Sequence, residues 1–433
     1  MEGGVGRPSV KSPPVLPGSV ESVDALVVGA GPAGSTVAHR LAEGGWTTLV
    51  LEEHERVGQP VQCAGLVSQR VLDLAGSTSM VRASVNGASV FGPGLGSITF
   101  RAANPRAFVI DRAALDVHLA DRAARAGATF RTAERFDRRL SPSGGREVVR
   151  TISEDGVARE ISARVVIGAD GVASAVARAY RLRRPVEILP AFEAEFPRGL
   201  GDTGGVEVYL GRTFAPGLFG WWIPDGAGGA RVGLATDADG TPARTYFARL
   251  LSYLARRFGE GFGNPTGYVV SGIPIGQVPA THGERVLLVG DAAAQVKPLS
   301  GGGIFTGMRC AELAASVLGS ALERDDLSER SLAAYDRAWR AEFGEEFRRA
   351  LYLRRVFTRL SDPDLDALVA ALRTSELGAT IVAFGDIDFP THVVRELLRR
   401  SPSLVRLLPK ALGAWVAPAG YRAPDVDPGP RRK

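Results

Sequence analysis

The feature that most constrains the fold is an apolar segment at residues 24–53 that runs through a glycine turn into a helical pattern. The turn reads Gly-Ala-Gly-Pro-Ala-Gly from Gly29 to Gly34, which is the GxGxxG spacing. In such a unit the first glycine makes the tight turn and the second lets the backbone approach a pyrophosphate. The third allows the helix to pack closely on the strand. Gly29, Gly31 and Gly34 therefore predict a dinucleotide-binding βαβ unit.

An acidic residue at the end of the second predicted strand indicates which dinucleotide is bound. Glu52 lies 18 residues after Gly34, close to the spacing that places a carboxylate on a ribose hydroxyl. Because this carboxylate would repel a 2′-phosphate, the pattern favours FAD or NAD over NADP. The chain carries one such fingerprint, which argues against a layout with a second, separate NAD(P)H module.

The remaining patterns predict one more layer of strands and a helical end. Apolar runs at 107–110, 164–171 and 285–294 predict buried strands, and the spacing at 112–126 predicts a helix. The pattern is helical from about 302 to about 415. Segments in which apolar and polar residues alternate predict an antiparallel sheet with one solvent-exposed face. These segments lie at 85–101, 147–163, 191–197, 205–210 and 230–235.

Composition excludes several classes of protein. The two cysteines, Cys63 and Cys310, cannot form a disulfide framework, and no His or Cys spacing is typical of a metal site. No uncharged apolar run is long enough for a spanning helix, and residues 1–23 contain no signal-peptide block. The net charge of +5 comes with 48 arginines and no aromatic-interleaved basic stretch, so nucleic acid is not predicted. A solvated basic surface and attraction to anionic lipid both remain open.

Two further motifs resemble those of flavoproteins with the p-hydroxybenzoate hydroxylase fold. Residues 168–171 read GADG, like the DG motif, and residues 290–308 read GDAAAQVKPLSGGGIFTGM, like the GD motif. The resemblance implies that Asp170 bears on the pyrophosphate region and that Asp291 binds the ribityl chain. It also implies that Arg112 contacts the flavin. The pyrimidine edge of the flavin would meet Gly302, Gly303 and Ile304 at a helix N-terminus, which stabilises negative charge.

A cysteine-containing loop narrows the resemblance. Residues 55–68, ERVGQPVQCAGLVS, resemble the cysteine loop of the geranylgeranyl reductase family, whose members hydrogenate isoprenoid double bonds. The family pattern implies that Cys63 lies against the flavin, with Ala33 and Ala64 also touching it. Cys63 is then the candidate catalytic residue, as an acid or as a positioning group. Cys310 lies at apolar helical spacing and is predicted to be a core residue.

Residues 219–236 resemble the substrate-cavity motif of the same family. Phe219 stands where the family has tyrosine and Ile223 where it has phenylalanine, so neither the family's cavity shape nor a hydroxyl role carries over directly. The predicted substrate-binding residues are Phe219, Trp221, Trp222 and Pro224, although adjacent tryptophans on a strand point to opposite faces. The stretch also resembles the WxWxIP signature of flavin-dependent halogenases. These enzymes use a lysine well before the motif, and this chain has none between Lys11 and Lys297.

The predicted fold is α/β, with a Rossmann-like three-layer FAD-binding domain, an antiparallel-sheet substrate domain and a C-terminal helical region. The predicted division is a disordered lead at 1–23, an FAD-binding domain at 24–180 plus 272–330 with 80–105 contributing to the substrate sheet, a substrate domain at 181–271, helices at 331–418 and a tail at 419–433.

The resemblance implies an FAD-dependent reductase of C=C bonds in isoprenoid chains on a lipid, quinone or prenyl diphosphate. A single-component aromatic hydroxylase that uses NAD(P)H and O2 is the alternative, and a flavin or lipid carrier is a third class. The reductant is expected to come from outside the chain, as NAD(P)H, ferredoxin or a quinol-linked carrier. The expected location is the cytoplasm, with peripheral attachment to the cytoplasmic membrane face as an option. Residues 392–416 could form either an amphipathic interfacial helix or a core-packed helix with a basic face.

Overall fold

A computed structural model describes residues 20–185, 187–197, 205–237, 239–259 and 263–402. The strands are β1 Glu21–Val28, β2 Thr48–Leu51, β3 Leu66–Val67, β4 Val81–Val85, β5 Gly87–Phe91, β6 Ser97–Arg101, β7 Ala107–Ile110, β8 Thr129–Arg131, β9 Glu134–Arg139, β10 Glu147–Ser153, β11 Ala158–Gly168, β12 Glu187–Phe196, β13 Val206–Tyr209, β14 Gly220–Pro224, β15 Ala230–Ala235, β16 Gly267–Ile275, β17 His282–Gly283 and β18 Val286–Leu288. The helices are α1 Pro32–Glu43, α2 Gln69–Ala75, α3 Arg112–Arg125, α4 Ala175–Ala179, α5 Ala243–Phe258, α6 Ile304–Glu323, α7 Glu329–Phe357, α8 Asp362–Leu372, α9 Ser375–Phe384 and α10 Thr391–Arg400.

The first sheet has a parallel centre built on the predicted βαβ unit. Its order is β17-β18-β11-β1-β2-β8, and the hairpin of β9 and β10 extends from β11. Strand β1 is parallel to both β11 and β2, with Ala25 opposite Val165 and Thr48. Every residue from Ala25 to Val28 is buried, because helices cover one face and the β9–β10 hairpin with α4 covers the other. Because these four strands are parallel, the carboxyl ends of β1, β2, β11 and β18 lie along one edge of the sheet.

The second sheet has seven strands in the order β16-β12-β15-β14-β13-β5-β6. Helix α5 packs on one face, where Tyr246, Leu250 and Leu254 meet the buried side chains of the sheet. The other face is turned toward the first sheet and lines a cavity. A small third sheet has the order β3-β7-β4, with β7 antiparallel to both of its neighbours.

Two expectations about the second sheet were wrong. Residues 147–163 do not join it; they form β10 and the first part of β11 in the first sheet. Their alternation arises because one face of this hairpin is exposed to solvent. Such a pattern does not indicate which sheet the hairpin joins. The second sheet is also not wholly antiparallel, because β13 pairs with β5 in parallel, with Val206 opposite Ala88. These two strands are distant in sequence, so no short turn forces them to run in opposite directions.

Two predicted boundaries fall inside strands. Strand β1 begins at Glu21, so the ordered chain starts before residue 24, and the earlier part of the predicted lead lies outside the described residues. Strand β16 runs to Ile275 and therefore crosses the boundary placed between 271 and 272. The predicted tail at 419–433, and the part of 392–416 beyond residue 402, also lie outside the described residues.

The C-terminal helices complete the core of the first sheet. Helix α7 packs on α6 and buries Trp339, Phe343 and Phe347 in the cluster that also contains Cys310. Cys310 is fully buried, and this burial raises its pKa. Within the part of the chain that the structure describes, no single helix has the length and apolarity needed to cross a membrane. Residues 362–372 and 376–384 meet both criteria only as a pair bent by 91°.

Candidate active site

A cavity of about 830 Å³ lies between the carboxyl edge of the first sheet and the open face of the second. Its lining includes the glycine turn after β1, the loop around Cys63, the start of α6 and side chains of β12, β14 and β16. The carboxyl edge of a parallel sheet is where open α/β folds bind their ligands. The predicted motifs, which are far apart in sequence, therefore meet in one place.

The glycine turn has the geometry that each of its glycines was expected to need. Gly29 has a φ of +101°, and a Cβ there would lie 2.3 Å from the carbonyl oxygen of Ala169. A Cβ at Gly34 would lie 2.0 Å from the carbonyl oxygen of Gly29, so Gly34 allows α1 to approach β1. Gly34 does not line the cavity, whereas Gly31 does, and a Cβ at Gly31 would meet no protein atom within 4 Å. The backbone at Gly31 is therefore open to a ligand.

Glu52 lies at the end of β2 on the cavity lining, as the spacing predicted. Its Oε2 accepts a hydrogen bond from the backbone nitrogen of Ala30 at 3.0 Å, and its Oε1 lies 2.7 Å from Nδ1 of His54. The carboxylate is thus tied to the glycine turn. Residues 134–136, at the start of β9, line the same end of the cavity, although no sequence motif indicated them.

Cys63 and Arg112 form a contact inside the cavity. The Cys63 Sγ accepts a hydrogen bond from the backbone nitrogen of Gly65 at 3.4 Å. The Arg112 guanidinium pairs with Asp116 through two hydrogen bonds of 2.7 and 3.0 Å, and it also interacts with the Cys63 thiol. Burial alone would lower the pKa of Arg112, but Asp116 and Cys63 raise it, so the guanidinium stays charged beside the thiol.

The two aspartates of the DG and GD motifs differ in what they bind. Asp170 accepts hydrogen bonds from Oγ of Ser174 at 2.7 Å and from the backbone nitrogen of Val176 at 3.0 Å, so it holds the start of α4. Burial raises the pKa of Asp170. Asp291 is partly buried in the cavity wall, and this burial raises its pKa while Arg112 opposes the rise. Among the described residues, no group donates a hydrogen bond to the Asp291 carboxylate, which lines the cavity.

These features fit a bound dinucleotide such as FAD. The open backbone at Gly31 and the N-terminus of α1 suit a pyrophosphate, and the unpartnered Asp291 suits a chain of hydroxyl groups. Gly302, Gly303 and Ile304 line the cavity where α6 begins, and Ala33 and Ala64 also reach its wall. Every predicted cofactor-binding residue except Gly34 therefore lies on the cavity, and Gly34 packs directly behind it.

The second sheet presents a row of three residues to the cavity. Gly233 on β15 is paired with Glu193 on β12 and with Trp221 on β14, so the three side-chain positions lie side by side. The Trp221 ring crosses over Gly233, where a Cβ would lie 2.6 Å from the ring, and its Nε1 donates to Oε2 of Glu193 at 2.7 Å. A glycine is therefore needed in the middle of the row.

The predicted substrate-binding residues divide between the two faces of this sheet. Phe219 and Trp221 line the cavity. Trp222 does not; it is 1% exposed on the opposite face, 5.3 Å from the ring of Phe258, so its assignment to the cavity wall was wrong. Pro224 also lies off the cavity, at the end of β14, where the strand has passed the cavity edge.

Three charged residues that no sequence motif indicated also reach the cavity or its wall. Glu193 lines it directly. Arg231 donates to the carbonyl oxygens of Ala64 at 2.9 Å and Ile110 at 3.1 Å, which joins β15 to the cysteine loop. Lys297 lines the cavity and donates to the carbonyl oxygen of Ile387 at 2.8 Å. Lys297 could have been noticed as an isolated lysine in an arginine-rich chain. Glu193 and Arg231 gave no such signal, because the hydrogen bonds that place them join segments that are distant in sequence.

Gly233→Ala is expected to displace the Trp221 ring and break its hydrogen bond to Glu193. Forcing a methyl group into a packed contact costs about 1–3 kcal/mol of unfolding free energy. Urea denaturation measures this loss. Gly267→Ala is the matched control on the same sheet, because a Cβ there meets no atom within 4 Å. Equal stability of the two variants would contradict the crossing of the ring over Gly233.

Fold and site together define a flavoprotein, and comparison with known proteins agrees. Residues 22–192 match the family described as the FAD binding domain. A structure of a geranylgeranyl bacteriochlorophyll reductase-like protein from Thermoplasma acidophilum has a TM-score of 0.76 and 26% identity, covering 88% of this chain and 100% of that chain. The myxobacterial halogenase CndH has a TM-score of 0.64 at 20% identity, covering 86% of this chain and 92% of that chain, which shows a shared fold alone.

The sequence relatives identify the family. Digeranylgeranylglycerophospholipid reductase 2 of Methanopyrus kandleri is 33% identical over 404 residues, covering 88% of this chain and 98% of that protein. Digeranylgeranylglycerophospholipid reductase of Methanocaldococcus jannaschii is 32% identical, covering 88% of this chain and 96% of that protein. The chain belongs to the geranylgeranyl reductase family of FAD-dependent oxidoreductases.

Proposed function

We propose that this protein reduces C=C bonds of geranylgeranyl-type chains on a glycerophospholipid. The observation that carries the proposal is a single cavity that joins the dinucleotide site to an apolar sheet face, with Cys63 on its lining. Bound FAD, once reduced, supplies a hydride to such a bond. The relatives named as reductases of digeranylgeranylglycerophospholipid support this substrate class.

The sheet face of the cavity has the character that a prenyl chain requires. A long hydrocarbon chain is bound mainly by removing its surface from water, and a few polar groups then set its position. The second sheet and the loop before α10 supply a continuous part of the apolar lining; these residues include Ala191, Val206, Val208, Phe219, Ile223, Val269, Ile273 and Ile387. The lipid head group is expected to stay at the cavity mouth.

Cys63 is proposed to position the reacting bond near the cofactor. The thiol is fixed by Gly65, and the Arg112 guanidinium lies beside it. Arg231 holds the carbonyl of the next residue, Ala64, so the cysteine loop cannot move independently of β15. The loop therefore sets the distance between the cofactor side of the cavity and the sheet that binds the chain.

The electron donor and the place of action belong to the same proposal. We expect the reductant to come from outside the chain, as NAD(P)H or ferredoxin. A water-insoluble substrate favours peripheral attachment to the cytoplasmic membrane face. The described part of the 392–416 segment supports this with Arg395, Arg399 and Arg400 on α10, which are exposed. Flotation of the protein with vesicles of anionic phospholipid, compared with neutral phospholipid, tests the attachment.

The reductase proposal is tested under anaerobic conditions. Holoenzyme reduced with dithionite is mixed with geranylgeranylated phospholipid, and the lipid is analysed by mass spectrometry. A gain of two hydrogen atoms for each flavin re-oxidised is the expected result. An aromatic hydroxylase would instead add one oxygen atom to an aromatic substrate in air with NAD(P)H, and a carrier would give no product with any reductant.

Cys63→Ala is expected to keep FAD and lose about tenfold in the rate of alkene reduction, because small errors in positioning the reacting atoms are costly. Cys310→Ala is the control for removal of a thiol, since Cys310 is buried in the helical core. The rate is measured as re-oxidation of reduced flavin by the lipid. A Cys63→Ala enzyme that reduces the lipid at the wild-type rate would contradict the role given to this residue.

A further inference from the structure

Glu193 is an acid on the substrate side of the cavity. It lies on β12, is 4% exposed and lines the cavity. The other acids on the cavity lining have different places. Glu52 holds the glycine turn, Asp170 holds the start of α4, and Asp116 pairs with Arg112. Asp291 lies in the cofactor site, Glu134 accepts hydrogen bonds from Thr151 and Arg159, and Glu53 is exposed. Glu193 is held by the second sheet, whose open face supplies the apolar side chains opposite the cofactor motifs.

The surroundings of Glu193 favour its neutral form. Among the described residues, Trp221 alone donates a hydrogen bond to the carboxyl group, through Nε1 to Oε2 at 2.7 Å. Arg231 attracts a negative charge on Glu193, but its guanidinium is already engaged by two carbonyl oxygens and lies 3.6 Å from Glu195. Burial raises the pKa of Glu193 to about 7, with Glu195 adding to the rise and the Trp221 hydrogen bond and Arg231 opposing it.

Reduction of an isolated double bond requires a proton as well as a hydride. Burial of an acid in a site where only one hydrogen bond supports its charge keeps a proton available near neutral pH. Trp221 donates to Oε2, which fixes the carboxyl group while its second oxygen, Oε1, receives no hydrogen bond from the described residues. This oxygen is therefore available to hold the proton on the cavity side.

We propose that the carboxyl group of Glu193 delivers the proton that completes reduction of the double bond; this rests on the proposed function. One alkene carbon receives a hydride, with its electron pair, from the reduced cofactor. The other carbon forms a C–H bond with the proton of Glu193, whose O–H bond breaks. The products are the saturated chain, the oxidised cofactor and a Glu193 carboxylate, which regains a proton from water.

The kinetic test uses holoenzyme reduced with dithionite and mixed anaerobically with geranylgeranylated phospholipid. In Glu193→Gln, the rate of flavin re-oxidation is expected to fall about 10²–10⁴-fold, the range typical of a lost general acid. The wild-type rate should fall about tenfold per pH unit above pH 7. The Gln variant should lack this pH dependence. Glu195→Gln is the matched control, because Glu195 lies on the same strand and its side chain is 51% exposed.

A second readout does not depend on turnover. Infrared difference spectra of substrate-free holoenzyme should show the carbonyl band of a protonated carboxylic acid that disappears with a midpoint near pH 7 and is absent in Glu193→Gln. Should the Gln variant fold poorly, Glu193→Asp keeps the acid and is expected to retain part of the rate and the same alkaline loss. Wild-type rates in Glu193→Gln, or an unchanged pH profile, overturn the inference while the reductase function stands. Failure of wild-type enzyme to reduce the lipid overturns both, whatever the infrared band shows.

Discussion

Gly31→Ala is expected to fold as the wild-type chain does and to bind FAD about a hundredfold more weakly, because roughly 3 kcal/mol of charge-assisted hydrogen bonding to the phosphates is lost. A Cβ at this position meets no protein atom within 4 Å, so the flavin-free protein has room for it. The pyrophosphate must approach the same backbone from the cavity. The methyl group is therefore compatible with the protein and incompatible with the cofactor. Titration of flavin-free protein with FAD measures the affinity.

Two comparisons make the Gly31 prediction specific. Gly378→Ala, in α9 and off the cavity, also meets no atom within 4 Å and is expected to bind FAD normally. Gly34→Ala should instead destabilise the flavin-free protein, because its Cβ would lie 2.0 Å from the carbonyl oxygen of Gly29. Normal FAD affinity in Gly31→Ala would mean that the cofactor does not approach this turn.

The unfolding free energy of flavin-free Glu193→Gln is compared with that of the wild type at each pH. The advantage of the variant is expected to be about 3 kcal/mol larger at pH 8 than at pH 4. In the unfolded chain this carboxyl ionises near its ordinary value of 4.5, and in the folded protein its pKa is raised to about 7. The unfolded state therefore binds fewer protons between these values, and folded wild-type protein loses stability as the pH rises through this window. Glutamine has no proton to lose, so the variant escapes that loss.

Urea denaturation at pH 4, 5, 6, 7 and 8 measures the difference between wild type and Glu193→Gln at each pH. The difference should grow from pH 4.5 to pH 7 and then level off. Glu195→Gln, whose side chain is 51% exposed, should differ from the wild type only through the small effect of its charge on Glu193. A constant difference across this range would show that Glu193 is ionised in the folded protein near its ordinary pKa. It would also remove the acid from the proposed reaction.

Short contiguous motifs were the predictable part of the site. The glycine turn, Glu52 and the segment around Asp291 each combine a strand end with a turn, and the carboxyl ends of parallel strands meet at one edge. Local sequence therefore fixed both the conformation and the place of these residues. The helix at Arg112 also begins at the predicted position, because a local interaction sets its start: the side chain of Asp111 accepts a hydrogen bond from the backbone nitrogen of Ala114.

Properties that depend on distant pairings were not predictable. Alternation along β14 implied that one of the adjacent tryptophans faces the ligand, but only the pairing of β14 with β15 selects Trp221 and places Trp222 under α5. Pairing of β15 with both β14 and β12 brings Trp221 across Gly233 to Glu193, which joins three residues from three strands. In sequence, Glu193 was one of two acids, with Glu195, in the alternating segment 191–197, a pattern that also suits a solvent-facing position.

The most direct test of the central claim is an experimental structure of the holoenzyme with a geranylgeranyl phospholipid bound. The expected result places the isoalloxazine ring between Cys63 and the start of α6, with the prenyl chain along the Trp221 face and a double bond in reach of both the flavin and Glu193. A flavin ring outside this cavity, or a prenyl chain bound away from the second sheet, would contradict the account.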